Sequence, residues 1–351
     1  MRIIRSQAFA RAGLIGNPSD GYHGKTISII VRNYRAQTTL YEWDRIEIVN
    51  SRNDESSFRS LEEFSEDVRR HGYYGGIRLV KAAIHGFVEY CRKKAIALHD
   101  RNFSIRYEST IPRQVGLAGS SAIIVATFRA LMEFYGVTIS QNVLPSLVLS
   151  IERDRLGIQA GLQDRVIQVY EGAVFMDFSK ESEEIVDGFV CGRYVPINPA
   201  KLPPLYLAHS AQYSEPTEVF HNNLRFRFDQ GEPEVVNAMR ILTDITVEAG
   251  EAIERGDTKR LGELLDRNFD TRRSICRLPK EHIEMVETAR GVGASAKFSG
   301  SGGAIIGTYD DETVYKKLVE EMKKIGCTVI KPLVCPDVCP AGVPDRDPEN
   351  N

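Results

Sequence analysis

The run Pro112-Arg113-Gln114-Val115-Gly116-Leu117-Ala118-Gly119-Ser120-Ser121-Ala122 is the stretch of this chain best suited to chemistry. It leaves a strand-like segment, Phe103 to Glu108, and enters an apolar, helix-forming one, Ala122 to Phe134. Small residues at a helix start leave backbone N–H groups uncovered, and the positive end of the helix dipole adds to them. The result is an anion site. Two adjacent hydroxyls, Ser120 and Ser121, can add a phosphate contact and a magnesium ligand. A capping serine and a turn glycine would explain part of this run without a ligand.

Three further patches carry reactive groups. Around Arg11, a strand delivers a guanidinium and then a turn, Gly16 to Tyr22, presents Asn17, Ser19, Asp20 and Tyr22. Such a cluster suits hydrogen bonding to a polyhydroxylated ligand, although Asn and Asp also favour turns for local reasons. Glu152 and Asp164 are two carboxylates divided by the glycine-punctuated segment Gly157 to Leu162. One could hold a metal while the other faces a hydroxyl; surface ion pairing with Arg155 or Arg165 is the plainer alternative. Lys297 to Ala304 (Lys-Phe-Ser-Gly-Ser-Gly-Gly-Ala) lets a backbone approach a ligand closely, or forms a glycine-rich turn. Two other glycine patterns are decoys. Gly24-Lys25-Thr26 lacks the first glycine of a Walker loop, and Gly291 to Ala296 follows a helix rather than a strand.

Composition bounds the classes. With 351 residues, the chain has room for one large domain or two ordinary ones. Its net charge of -3 offers no electrostatic footprint for nucleic acid, and no apolar run approaches the roughly 20 residues of a membrane helix. The N-terminus lacks the apolar region of a secretory signal, and six scattered cysteines point to a reducing, cytoplasmic compartment. Oligomeric state is not legible.

The elements that must position these groups alternate between strand and helix. Strands are expected at Ser6–Leu14, Thr26–Val31, Ala36–Tyr41, Glu47–Arg52, Phe103–Glu108, Gly172–Phe178, Leu205–His209 and Thr328–Pro332. Lys297–Thr308 reads as a glycine turn running into a strand. Helices are expected at Leu61–Arg70, Gly76–Lys94, Pro145–Leu156, Gln163–Tyr170, Glu234–Arg255, Lys259–Ile275, Glu281–Gly291 and Val314–Ile325. The acidic stretch Lys180–Asp187 places a domain boundary near 186, giving domains 1–186 and 187–334, with 335–351 a disordered tail. This order reads as α+β.

The four patches, in this order, resemble the GHMP small-molecule kinases, the superfamily of galactokinase, homoserine kinase and mevalonate kinase. Pro112–Ala122 is similar to their central phosphate loop, with one extra small residue in Ala118-Gly119, and Lys297–Ala304 to their C-terminal glycine motif. Within them the chain most resembles the plant-type glucuronokinases. The similar phrases include Gly16-Asn17-Pro18-Ser19-Asp20, Gly72-Tyr73-Tyr74-Gly75-Gly76, Ala160 to Arg165 and Asn268-Phe269-Asp270, between about residues 8 and 330.

The resemblance implies a GHMP kinase fold: a ribosomal-protein-S5-like N-terminal domain plus a ferredoxin-like C-terminal domain. It also implies ATP and Mg2+, with transfer to the anomeric hydroxyl of glucuronic acid. Galacturonate or a neutral hexose is the alternative acceptor, and a non-catalytic nucleotide or sugar sensor a more distant reading. Asp164 and Arg11 match the catalytic pair, and Ser121 and Glu152 the metal ligands. Pro112, Gly116, Leu117, Ala118, Gly119, Ser120, Ser121, Ala122, Gly300, Ser301 and Gly302 match the ATP phosphate site. Asn17, Ser19, Asp20, Tyr22 and Tyr74 are expected to meet the sugar, and Arg113 or Arg32 its carboxylate. Where galactokinase has Glu-His-Thr-Asp, this chain has Asn17-Pro18-Ser19-Asp20; losing a negative charge suits an acidic sugar.

Overall fold

The computed structural model of this protein describes residues 2–49, 75–210 and 224–335. Strand β1 (Ile3–Ile15) is buried at alternate positions near its start and continuously from Ala10. Alternation marks a strand with one covered face. Continuous burial begins where helices and a strand of the second half of the chain also pack on β1. The paired strand β2 (Lys25–Trp43) is a single element of 19 residues where the sequence suggests two. The apparent gap is a bulge: the ladder steps from Phe9–Arg35 to Ala10–Val31 and leaves Arg32, Asn33 and Tyr34 unpaired with β1. The chain returns to this bulge from its far end, where Arg32 N donates to Leu333 O at 2.8 Å and Leu333 N to Asn33 Oδ1 at 2.8 Å.

The first sheet is completed by β3 (Glu47–Val49), β4 (Asn102–Ser109), β5 (Ala173–Asp177) and β8 (Arg193–Ile197). Among the described residues its order is β3-β4-β2-β5-β8, with β1 on β2. Helices α1 (Gly76–Lys93), α2 (Gly119–Tyr135), α3 (Val143–Ser150) and α4 (Gln163–Tyr170) accompany it, α2 lying against β1 and β2. A two-stranded ribbon, β6 (Glu184–Val186) and β7 (Phe189–Cys191), occupies the stretch where the boundary was expected. Strand β8 follows it and pairs antiparallel with β5, so the first sheet continues past residue 186. Of the acidic residues that suggested a boundary, Glu181 and Glu183 are exposed just before the ribbon, Glu184 opens β6 and Asp187 lies in its hairpin turn.

The second sheet is antiparallel throughout: β10 (Lys297–Phe298), β11 (Ala304–Thr308), β9 (Leu205–Ser210) and β12 (Cys327–Ile330), in that order. Its helices are α5 (Pro233–Arg255), α6 (Thr258–Ile275), α7 (Lys280–Gly291) and α8 (Glu312–Lys324). Each presents an apolar stripe inward, for example Leu261, Leu264, Leu265 and Phe269 of α6. The helix expected at Leu61–Arg70, Tyr74 and the tail from residue 336 lie outside the described residues.

Candidate active site

The site is assembled where β1, the starts of α2 and α4, and the glycine loop after β10 converge. Arg11, buried on β1, reaches three of these elements with one guanidinium. Its Nε donates to Asp164 Oδ1 at 2.6 Å, and one terminal nitrogen donates to Gly116 O at 2.6 Å and Ser299 O at 3.0 Å. The rigid planar fork of arginine makes such a three-way tie possible.

The loop before α2 wraps tightly because Gly116 and Ala118 both take left-handed backbone conformations, with φ of 71° and 60°. For Ala118 that conformation costs roughly 1 kcal/mol or more. Its carbonyl is held in place by Gln168 Nε2 at 2.8 Å and Ser121 Oγ at 3.2 Å. Helix α2 then starts at Gly119 with no acidic residue in its first turn, leaving the positive end of its dipole facing the loop. The C-terminal glycines close on this loop. A Cβ on Gly116 would meet Gly302 O and Ser301 N at 3.0 Å, and one on Gly300 would overlap Gly116 O. Arg272, buried on α6, supports them by donating to Gly300 O at 2.7 Å and Ser301 O at 3.0 Å. Burial pulls its pKa down to about 10. Pro112 is half-buried, Leu117 and Ala122 are buried, and Arg113 is exposed on the loop.

The two serines divide their work differently from expectation. Ser121 is fully buried with its hydroxyl turned back on Ala118 O. Ser120 Oγ instead donates to Glu152 Oε1 at 2.9 Å. Glu152, fully buried in the π-helical turn Ile151–Arg155, also accepts from Arg165 Nε at 2.6 Å and from one of its terminal nitrogens. Burial opposes the Arg165 charge, but the Glu152 and Asp164 carboxylates outweigh it and raise its pKa. The Ser120–Glu152 pair, not Ser121, therefore offers a hydroxyl and a carboxylate side by side. Hard oxygen donors of this kind fit Mg2+, which commonly takes one or two carboxylates and completes its shell with phosphate and water. Among the described residues no group of three or more His, Cys, Asp or Glu stands close enough to hold a metal unaided.

The expected sugar turn is divided in the same way. Asp20 lies beside Asp164, and its carboxylate accepts from the backbone N–H of Gln163 at the start of α4. Burial first, and then Asp164, raises its pKa from 3.8 to about 6. Asn17 and Ser19 are buried and already engaged. Ser19 Oγ donates to Lys25 O at 3.0 Å, while the Asn17 amide accepts from Lys297 Nζ and donates to Phe298 O at 3.4 Å. These bonds tie the turn to β2 and to the strand that carries Lys297. Tyr22 is buried against Phe228, with ring centroids 4.8 Å apart, under Arg225. Burial raises its pKa to about 12.

Lys297 is the functional-looking group that a glycine-motif reading passes over. It is fully buried, donates to Gly13 O at 2.5 Å and to Asn17, and no carboxylate among the described residues is within ion-pair distance. Burial, then Arg272 and Arg11, lowers its pKa well below the usual ammonium range.

Arg32 is a clear correction. It pairs with Glu171, lies 4.4 Å from the Phe9 ring centroid and donates to Val334 O at 3.4 Å. Glu171 caps the end of α4 opposite Asp164, about 10 Å away at 1.5 Å per residue.

Comparisons with known proteins show the family of this chain. The family model for the GHMP kinases N terminal domain matches residues 78–172, and that for the GHMP kinases C terminal matches residues 250–326. Glucuronokinase 1 of Arabidopsis thaliana is 41% identical over 334 residues, covering 93% of this chain and 91% of that protein. Probable glucuronokinase 2 of the same plant is 40% identical, with 94% and 91% covered. Among solved structures, Lactococcus lactis galactokinase complexed with galactose aligns over 95% of this chain and 94% of its own, with a TM-score of 0.72 and 15% identity. Methanococcus jannaschii mevalonate kinase aligns over 95% and 98%, with a TM-score of 0.69 and 18% identity.

Proposed function

The chain belongs to the GHMP kinases, and we propose that it transfers the γ-phosphoryl group of ATP to the anomeric hydroxyl of glucuronic acid. That a phosphotransferase with an alcohol acceptor is present rests on glucuronokinase relatives alike over nearly the whole chain. The choice of acid rests on the same relatives. The single observation that carries the mechanism is Arg11, which ties Asp164 to the phosphate loop at Gly116 and the glycine loop at Ser299.

Phosphoryl transfer asks mainly for positioning and charge stabilisation. The backbone N–H groups at the start of α2 and the glycines from Gly300 to Gly302 form the phosphate seat. Ser120 and Glu152 would hold Mg2+, which would neutralise negative charge on the phosphates. Asp164 would lie beside the acceptor hydroxyl and take its proton as the oxygen bonds to the γ-phosphorus and the bond from that phosphorus to ADP breaks. An anomeric hydroxyl is more acidic than an ordinary alcohol, so a modest base is sufficient. Arg11 orients Asp164 and offsets charge on the transferring group. Asp20 meets the sugar hydroxyls. Arg113 is the remaining arginine of the two expected to meet the carboxylate.

The test is an assay with purified protein, ATP, Mg2+ and glucuronic acid, following ADP and an acid-labile sugar 1-phosphate. Galacturonic acid and galactose run in parallel. Equal turnover of galactose and glucuronate would defeat the choice of an acidic sugar. None of the described helices is long and apolar enough to cross a membrane.

A further inference from the structure

Gln163 immediately precedes Asp164 in the first turn of α4, and its side chain is buried with 2% of its surface exposed. Among the described residues, its Oε1 has no hydrogen-bond partner. Buried polar atoms left unpaired are uncommon and call for a reason. The surroundings supply one. The Gln163 amide lies over Gly13 of β1, where a Cβ would meet Gln163 Nε2 at 2.6 Å, Ser299 O at 2.9 Å and Asn17 Oδ1 at 3.2 Å. Gly13 is thus the gap in β1 that admits this amide next to the site. The backbone of the same residue donates to Asp20, and the next residue is Asp164. The Gln163 amide therefore packs over Gly13 beside Ser299 O, the carbonyl that Arg11 also binds, while its backbone links the segments carrying Asp20 and Asp164.

Among the other buried amides near the site, Gln168 also has an Oε1 without a partner, but its Nε2 is held from two sides, whereas both Asn side chains are engaged. Asn17 is held by Lys297 and Phe298 O, Asn268 bridges Gly16 N and Asn17 O, and Gln168 Nε2 binds Phe9 O and Ala118 O. We propose that Gln163 is a substrate-selecting residue whose Oε1 accepts a hydrogen bond from a sugar hydroxyl next to the reacting one. This rests on the reading of the protein as a sugar kinase. A site that keeps an unpaired buried acceptor discriminates against analogues lacking the matching hydroxyl, because the acceptor is then left without a partner.

The same observation separates a substrate role from a packing role. Replacing an unpartnered buried amide by an apolar group of similar shape is neutral or stabilising for the fold. Gln163→Met should thus keep or raise the melting temperature. It should raise the KM for the sugar roughly tenfold, the size of one lost hydrogen bond, and leave the KM for ATP unchanged. The monodeoxy analogues of the sugar complete the test. One of them should lose roughly tenfold in kcat/KM with wild-type protein, and lose nothing further with Gln163→Met. Gln163→Leu provides a second apolar variant should the first fold poorly. If wild type turns over the sugar and both folded variants keep its KM within twofold, the inference is wrong. It is equally wrong if the variants lose by the same factor on every analogue. If wild type turns over no sugar at all, the kinase reading falls, and this inference with it.

Discussion

Gly161 lies so close to Asp20 that a Cβ placed on it would overlap Asp20 Oδ2. The glycine just before α4 is what allows the β1–β2 turn to press a carboxylate against the start of that helix, next to Asp164. Gly161→Ala should push Asp20 aside without filling any core space. We expect a KM for the sugar raised about tenfold or more, an ATP KM within twofold, and a stability loss on the order of 1 kcal/mol. Steady-state kinetics varying each substrate in turn would check this; a raised ATP KM with an unaltered sugar KM would contradict it.

Asp164→Asn keeps the shape of the side chain and one acceptor for Arg11 but removes the base. Turnover should fall by about 10²–10⁴-fold, the range for losing a general base. Circular dichroism and melting should stay close to wild type, since Asp164 is partly exposed and not a packing residue. Near-normal kcat in a folded Asp164→Asn protein would remove the base assignment.

The two serines make opposite predictions. Ser120→Ala deletes the hydroxyl on Glu152 and should raise the Mg2+ concentration needed for half-maximal activity. Ser121→Ala deletes only the bond to Ala118 O, costing about 1 kcal/mol of stability and leaving the Mg2+ requirement unchanged. A Mg2+ titration of both variants at fixed ATP distinguishes them, and a reversal would restore Ser121 as the metal-side residue.

Asp20 gives stability a pH dependence of known sign. Its carboxyl binds a proton more tightly in the folded chain, with pKa about 6, than an ordinary aspartate does at 3.8. This group therefore favours the fold at low pH. That contribution is lost as pH rises from about 4 to about 6 and stays lost above. Asp20→Asn should match wild type near the bottom of the window and become more stable by about 1–3 kcal/mol at neutral pH. Urea unfolding of both proteins at the two ends measures the difference; a gap independent of pH would disprove the raised pKa.

Arg32→Ala should leave both KM values unchanged. Its partners are Glu171, Phe9 and the returning segment at Val334, so its loss should appear as about 1–2 kcal/mol of stability. A selective rise in the KM for an acidic sugar would return it to the substrate site.

Much of this protein follows from its order of residues, because the deciding interactions are local. Glycine and small residues before an apolar run must open a helix with bare N–H groups, and α2 starts at Gly119 within that motif. Periodicity likewise marks α4 at Gln163–Tyr170 and the long α5, since one apolar face repeats every 3.6 residues. The pairing of Arg11 with Asp164, 153 positions apart, was reachable only through resemblance to a family.

Which polar side chains are already engaged was decided by tertiary structure. Ser120 and Ser121 are equivalent as letters, but successive helix residues point about 100° apart, so only one can look toward Glu152. Asn17 and Ser19 read as sugar contacts until Lys297 and Lys25 O, brought from elsewhere in the fold, take their polar groups. Arg32 reads as a free cation until the bulge in β2 turns it toward Glu171. Short-range sterics and hydrogen bonding set the elements. The competition among distant polar groups for buried partners, which no local pattern encodes, set the site.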